Sequence, residues 1–417
     1  MTAGRWLLML MGVITLVGLI LRVYGIAGQP LLTDEMSVAF SAVNYVENGQ
    51  FGPTMWYHPN LRNIVVYLMG EGLGYGLFTM RGVSLLTGIM SIPLAGLVLY
   101  RLTENRRAAV ITSLLLAVEQ VHITFSRQAI QEVWTTFFFL AGVFMTLVYR
   151  DKERPWQLVA AGIAFGLGMA CKFHALFPLV VCLLFCLHSA WRRRSFSQGA
   201  FVVGTLVFIP LTVYLLTYIP WFGRGYGLAD WVAMQKALFA YTASHQGNPM
   251  DQTIDRAAWQ WFLRPLGYAN FVFAGGRPYL TVASSNPLVW LCVIPAALFQ
   301  LRLAVRQRRD EGEDGRGRVF LQALFLASYA PLAVSIRPIW LLSALAVIPF
   351  AFMVLALTLE QLSARSVWGK RLVAVYLLAA TAGSLYLYPL AIGKGMFFPY
   401  LAPIAEKFRQ NLDPVAH

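Results

Sequence analysis

Eleven apolar runs separated by short polar clusters make up most of this chain. Trp6–Ala27, Arg81–Tyr100, Ala108–Phe125, Val133–Tyr149, Trp156–Cys171, Ala175–Trp191, Gly199–Tyr218, Pro287–Leu303, Val319–Val334, Ile339–Leu359 and Leu372–Leu390 each approach the ~20 residues that a helix needs to cross hydrocarbon. The pattern predicts an all-α polytopic membrane protein with about 11 transmembrane helices, forming one membrane domain over residues 1–417. Another apolar stretch, Leu61–Met80, is broken by Arg62, Glu71, Gly70, Gly72, Gly74 and Gly76. Counting it as a span would put Arg101, Arg106 and Arg107 outside, against the preference of basic loops for the cytoplasm. It is expected to lie along the outer interface as an amphipathic segment.

Composition agrees with that reading. Hydrophobic residues make up 58% of the 417 and charged residues 12%, a balance that a water-soluble fold could not hide. The net charge of +14 would suit nucleic acid if the cations shared one face. Instead Arg101 with Arg106-Arg107, Arg150 to Arg154, Arg192 to Arg194, Arg302 to Arg318 and Arg365 to Arg371 fall between apolar runs, so the balance reports topology and the partner is the lipid bilayer. Arg5 joins them and sets the N-terminus inside. The run after Arg5 exceeds a signal-peptide core, and no small-x-small cleavage site precedes Arg22, so it is expected to stay as the first span. Cys171, Cys182, Cys186 and Cys292 lie in apolar segments without metal-ligand neighbours and read as buried thiols.

This topology leaves two large outer loops, residues 28–80 and 221–286, and a polar cytoplasmic linker, residues 304–318, whose Asp310, Glu311, Glu313 and Asp314 lie among glycines. The first outer loop opens with Asp34-Glu35 and carries Tyr57-His58-Pro59. Thr33, Asp34 and Ser37 would suit a helix start, but an acid pair at a membrane edge is costly unless it is paired or used, which makes it a functional-site candidate. Arg81, Glu132, Arg127, Lys172, His174 and Arg337 lie at the same ends of their spans. The second loop adds His245, Asp251, Asp255 and several tryptophans and tyrosines, residues that commonly anchor a membrane interface. Carboxylates among convergent cations suit a lipid phosphate, with Arg or Lys holding its oxygens and an acid handling a proton.

The order Asp34-Glu35, His58-Pro59, Arg81 with Ile92-Pro93-Leu94, Ser126-Arg127 to Glu132, and Gly166 to Lys172 followed by Leu176-Phe177-Pro178 resembles the protein O-mannosyltransferases. So do Trp259-Gln260-Trp261, Arg264-Pro265 and Ser285 to Trp290. That family, glycosyltransferase family 39, consists of membrane glycosyltransferases of the GT-C fold. The resemblance runs from Leu32 to about Pro349. It implies a polyprenyl-phosphate sugar as donor, a hydroxyl acceptor on protein, lipid or polysaccharide, and an active site on the outer face of a bacterial or archaeal cytoplasmic membrane.

By the same resemblance Asp34 falls at the catalytic carboxylate, with Glu35 as its partner. Arg81 matches an arginine near the lipid phosphate and Glu132 takes the place of an aspartate, while Arg127, Lys172 and Arg337, which the topology brings to the same end, are the further candidate ligands of the donor phosphate. His58, Arg62, Glu132 and His245 complete the site. The chain departs from the family after His58-Pro59, where Asn60-Leu61-Arg62-Asn63 replaces Pro-Leu-Gly-Lys, so the lysine is missing or its role moves to Arg62. It also has no outer loop large enough for a beta-trefoil domain, which leaves the acceptor open: aminoarabinose transferases acting on lipid A share the scaffold. No phosphate-cradling Gly-x-x-x-x-Gly-Lys loop or zinc motif occurs, and the implied reaction requires no nucleotide or other cofactor; a divalent metal is compatible with it but the sequence does not demand one. The rival class is a transporter of lipid-linked sugar, whose internal symmetry this sequence does not display.

Overall fold

The computed structural model describes residues 3–32, 35, 38–50, 59–244, 257–264, 266–274, 277–307, 313–335 and 339–394. All eleven apolar runs are helical over most of their length. In chain order the helices are α1 (Ala3–Val23), α2 (Val38–Asn48), α3 (Leu61–Leu73), α4 (Leu77–Thr103), α5 (Arg106–Val118), α6 (Gln120–Ser126), α7 (Gln131–Lys152) and α8 (Pro155–Cys171). They continue with α9 (Leu176–Arg192), α10 (Phe196–Leu216, relaxed to a π turn at Gly204–Phe208) and α11 (Leu228–Ser244). The last four are α12 (Val293–Gln307), α13 (Glu313–Ala333), α14 (Ile348–Arg365) and α15 (Val367–Ala391).

Among the described residues eight helices are long and apolar enough to cross a bilayer, or nine if α5 and α6 count as one span bent by 58°. The two remaining members of the expected eleven, α8 and α13, are shorter or carry charge at their start, so composition alone does not reach that count. α3 ends on Gly74 at φ 81°, a left-handed value that favours glycine, and the chain turns there into α4. The expected interfacial segment is thus a separate 13-residue helix followed by a new span.

The mostly helical fold expected from the sequence includes one hairpin besides: Gly267–Ala274 (β1) and Arg277–Ser284 (β2) pair antiparallel. Its cause is local, since aromatic and β-branched residues alternate on both sides of a two-residue Gly-Gly connection, a pattern suited to a tight hairpin turn. Within residues 304–318, expected as a linker, α12 runs to Gln307 and α13 begins at Glu313.

Within lipid, helices attract by close packing rather than by water exclusion, and small residues permit it. A methyl group at Gly162 would strike the Thr205 carbonyl oxygen in α10, and at Gly142 the Phe165 ring. The centre of the bundle is α14, buried continuously from Ile348 to Leu357, with Phe350 stacked on Phe139 of α7 at 5.4 Å. Alternating spans bring basic turns to one end, where Arg101 and Arg150 meet Asp151 and Arg193 meets Glu153. The end of α1, the start of α4, the bend at Glu119 and the hairpin gather at the other.

Candidate active site

At that second end the best-bonded side chain is Glu35, fully buried just before α2. Its carboxylate receives four hydrogen bonds: Arg81 Nε to Oε1 at 2.7 Å, Arg81 Nη2 to Oε2 at 2.7 Å, Leu32 N–H at 3.0 Å and Ala129 N–H at 2.8 Å. Arg81, on the first turns of α4, also donates from Nη1 to the Gln29 carbonyl at 3.0 Å and from Nη2 to the Pro30 carbonyl at 2.7 Å. This forked, charge-assisted pair meets the condition under which a buried ion pair is tolerated, since each carboxylate oxygen accepts two hydrogen bonds and every guanidinium nitrogen donates at least one. Arg81 is therefore engaged with the first loop in this structure, and only one proton of Nη1 lies beyond these four bonds.

Ala129 is held on both sides, because its carbonyl accepts from Arg62 Nη1 at 3.1 Å. Three residues further on, Glu132 receives Lys172 Nζ at 2.6 Å, in a pair that is about a tenth exposed. The predicted cations thus separate into groups: Arg81 serves Glu35, while Lys172 faces Glu132.

Arg127 forms a third group, with a partner the sequence did not single out. The bend after α5 and the end of α1 both leave main-chain carbonyls without helical donors. Arg22 of α1 reaches across to Ala117 and Leu116 at 3.0 and 3.2 Å, and Arg127 returns the favour to the carbonyls of Arg22 and Tyr24 at 2.8 and 2.7 Å. Arg22 thereby caps the negative C-terminal end of α5, and Arg127 that of α1. Arg22 Nη2 also lies 2.8 Å from His122 Nδ1. An arginine only donates, so Nδ1 accepts and the imidazole carries its proton on Nε2.

The two arginines are not equally used up. Arg127 has two buried nitrogens, Nε and Nη2, with no partner among the described residues, and no described carboxylate pairs with it. Tyr24, Tyr279 and Tyr388 surround this pair: Tyr388 donates to the Leu21 carbonyl at 2.8 Å, Tyr279 to that of Ile392 at 2.8 Å, and the Lys394 ammonium sits 5.5 Å from the Tyr24 ring centroid. Burial pushes the Tyr279 hydroxyl above its usual range, opposed by Arg127 and Arg81, so it stays a neutral donor. Tyr45 of α2 is likewise raised by burial and donates to the Thr217 carbonyl at 2.6 Å.

Asp34, His58, His245 and Arg337 lie outside the described residues. Arg22, Tyr279, Tyr388 and Lys394 were missed as site residues. Only Arg22 left a usable signal, a cation buried near the end of a span, where an uncompensated charge is expensive. Among the described residues no three His, Cys, Asp or Glu side chains are grouped so as to hold a metal ion.

The model of the dolichyl-phosphate-mannose-protein mannosyltransferase family matches residues 12–223, half of the chain, including the first-loop elements, Arg22 and Arg127. The chain belongs to that family. It is similar to the polyprenol-phosphate-mannose–protein mannosyltransferase of Mycobacterium tuberculosis, 23% identical over 92% of this chain and 88% of the relative. The enzyme of the same description from Mycolicibacterium smegmatis is also 23% identical, over 88% and 85%. Among solved structures, the S. cerevisiae protein O-mannosyltransferase complex bound to its sugar donor superposes with a TM-score of 0.77 at 11% identity, covering 94% of this chain and 91% of that one. ArnT from Cupriavidus metallidurans bound to undecaprenyl phosphate gives 0.59 at 15%, covering 96% and 80%. At such identities these structures share the fold, the GT-C membrane architecture. The chain is thus an integral membrane glycosyltransferase of the mannosyltransferase family.

Proposed function

We propose that this enzyme transfers a mannosyl unit from a polyprenyl-phosphate donor to a Ser or Thr hydroxyl of a protein, on the outer face of the cytoplasmic membrane and with inversion at the anomeric carbon. The observation that carries the reading is the Glu35 carboxylate, which bonds the segment holding Asp34 to Ala129, two residues beyond Arg127. A candidate base and a buried cation with unused donors are thereby tied together by one strut. The similarity to mycobacterial polyprenol-phosphate-mannose–protein mannosyltransferases supports mannose and a protein acceptor.

In this scheme Asp34 takes the proton of the acceptor hydroxyl as its oxygen bonds to the anomeric carbon from the face opposite the phosphate. The bond from that carbon to the phosphate oxygen breaks, and the lipid phosphate leaves toward Nε and Nη2 of Arg127. Two donors on one guanidinium suit two phosphate oxygens. Glu35 and Arg81 act by position, holding Asp34 at the reacting side. The scheme uses no nucleotide and no metal.

The test is transfer from polyprenyl-phosphate mannose to a Ser/Thr peptide by the purified chain in lipid nanodiscs, with the product anomer read by NMR. Asp34→Asn should slow turnover by about 10²- to 10⁴-fold while donor binding persists. Native-rate transfer by that variant would refute the base. Movement of intact donor across vesicles without transfer would favour a flippase instead.

A further inference from the structure

Resting on the donor assignment above, we propose that Gln128, Asn270 and Thr281 form the subsite that reads the hydroxyls of the transferred sugar. Side chains of directly opposed residues in an antiparallel hairpin share a face, and alternate residues return to it. The register pairs Tyr268 with Ala283, Asn270 with Thr281 and Val272 with Tyr279, so these six share one face. Three contacts show what that face covers. Tyr268 packs on Phe125 of α6 at 5.8 Å, Asn270 Nδ2 donates to Gln128 Oε1 at 3.2 Å, and Tyr279 bonds to the Ile392 carbonyl beside Arg127. The hairpin therefore roofs the short segment Phe125 to Gln128.

Beneath that roof the hydrogen bonding is incomplete. Gln128 Nε2 and Thr281 Oγ1 are buried and unpartnered on the bonded neighbour and the register partner of Asn270, and the unpartnered Nε and Nη2 of Arg127 belong to the chain neighbour of Gln128. Folded proteins satisfy the great majority of buried polar groups, and a cluster of exceptions in one place asks for a missing ligand. The chemistry of the exceptions divides it in two. The guanidinium calls for an anion, whereas the Gln128 amide and the Thr281 hydroxyl carry no charge and offer the mixed donors and acceptors that a polyol needs. A sugar bonded to a phosphate supplies both in that order, phosphate at Arg127 and ring hydroxyls at its chain neighbour Gln128. The orphaned atoms are sealed from solvent, so the sugar enters as the hairpin lifts, and the hairpin closes on a ligand that satisfies what the empty form leaves open.

The experiment compares equilibrium binding of three lipids to the full chain in nanodiscs: polyprenyl-phosphate mannose, polyprenyl-phosphate glucose and bare polyprenyl phosphate. The native chain is expected to prefer the mannose lipid over both others by roughly tenfold, the worth of one or two hydrogen bonds. Thr281→Val, which keeps the shape, and Asn270→Ala should bring the three affinities together while leaving bare polyprenyl phosphate bound as before. Arg127→Lys should weaken all three alike. The subsite is overturned if the native chain shows no preference for mannose. It is also overturned if Thr281→Val, unfolding at the native temperature, keeps the preference or loses affinity for all three lipids in parallel. Binding separates this inference from the transfer reading: a preference that Thr281→Val abolishes, in a chain that transfers nothing, supports the subsite and removes the transferase.

Discussion

Glu35→Gln is a small change in shape and a large one in bonding. The native carboxylate faces four donors, two on Arg81 and one each on Leu32 and Ala129. A glutamine keeps one acceptor oxygen and presents an NH₂ group to the donors on its other side, so at least one buried N–H loses its partner and the guanidinium loses its counter-charge. One orphaned donor costs about 1–3 kcal/mol, and removing one member of a buried ion pair about 3–5 kcal/mol, so destabilisation near the upper figure is expected. Because the same carboxylate joins the Asp34 segment to Ala129, activity should fall as well. A displacement of about 1 Å in a reacting group costs on the order of a hundredfold. Thermal unfolding and peptide mannosylation, measured on the same nanodisc preparation, separate this from chemistry: Glu35→Gln should lower both stability and turnover, and Asp34→Asn turnover alone. Glu35→Leu combined with Arg81→Met should regain stability, since an apolar pair of similar volume removes both uncompensated charges. A Glu35→Gln protein that unfolds at the native temperature yet transfers no sugar would refute the positional role and put Glu35 in the chemistry.

Arg127→Ala should weaken binding of polyprenyl phosphate by roughly ten- to a hundredfold, the worth of about 1.5–3 kcal/mol for a charge-assisted contact, and Arg127→Lys should recover only part of it. Unchanged affinity, measured by competition against a labelled lipid phosphate, would remove it from the phosphate site. In a variant lacking the four native thiols, cysteines at positions 34 and 245 should react with an impermeant maleimide from outside and those at 193 and 312 from inside, as the basic loops require. Inside labelling at 245 would overturn the orientation.

The spans were legible because each is written locally: an apolar run between cations predicts a helix whatever it packs against. The break at Glu119 was not, since it lies inside an apolar run and depends on Arg22 receiving the freed carbonyls from another helix. The hairpin carried a readable signal in alternating aromatics around Gly275-Gly276, overshadowed by the frequency of tyrosine and tryptophan at membrane interfaces. Within the site, composition gave the right residue types in the right loops. It gave no means of knowing that Arg81 belongs to Glu35, 46 residues away, rather than to a ligand, because either partner satisfies a buried guanidinium. The resemblance to the mannosyltransferases carried the functional class, which spacing alone did not.

The caps that Arg22 places on α5 and Arg127 on α1 also bear on how the chain is made. Arg22 belongs to the first segment to reach the membrane, and the carbonyls it caps are 94 and 95 residues downstream. At translation rates of about 5–20 residues per second, that interval lasts roughly 5–20 s. Throughout it the first helix holds a guanidinium near its end with no acceptor from the bundle, so the side chain must reach toward the headgroups until α5 and α6 arrive. Docking of α5 then draws the arginine inward, and Arg127 closes over the end of α1 behind it. The first third of the protein is thus completed as a unit before the hairpin and α15 are synthesised.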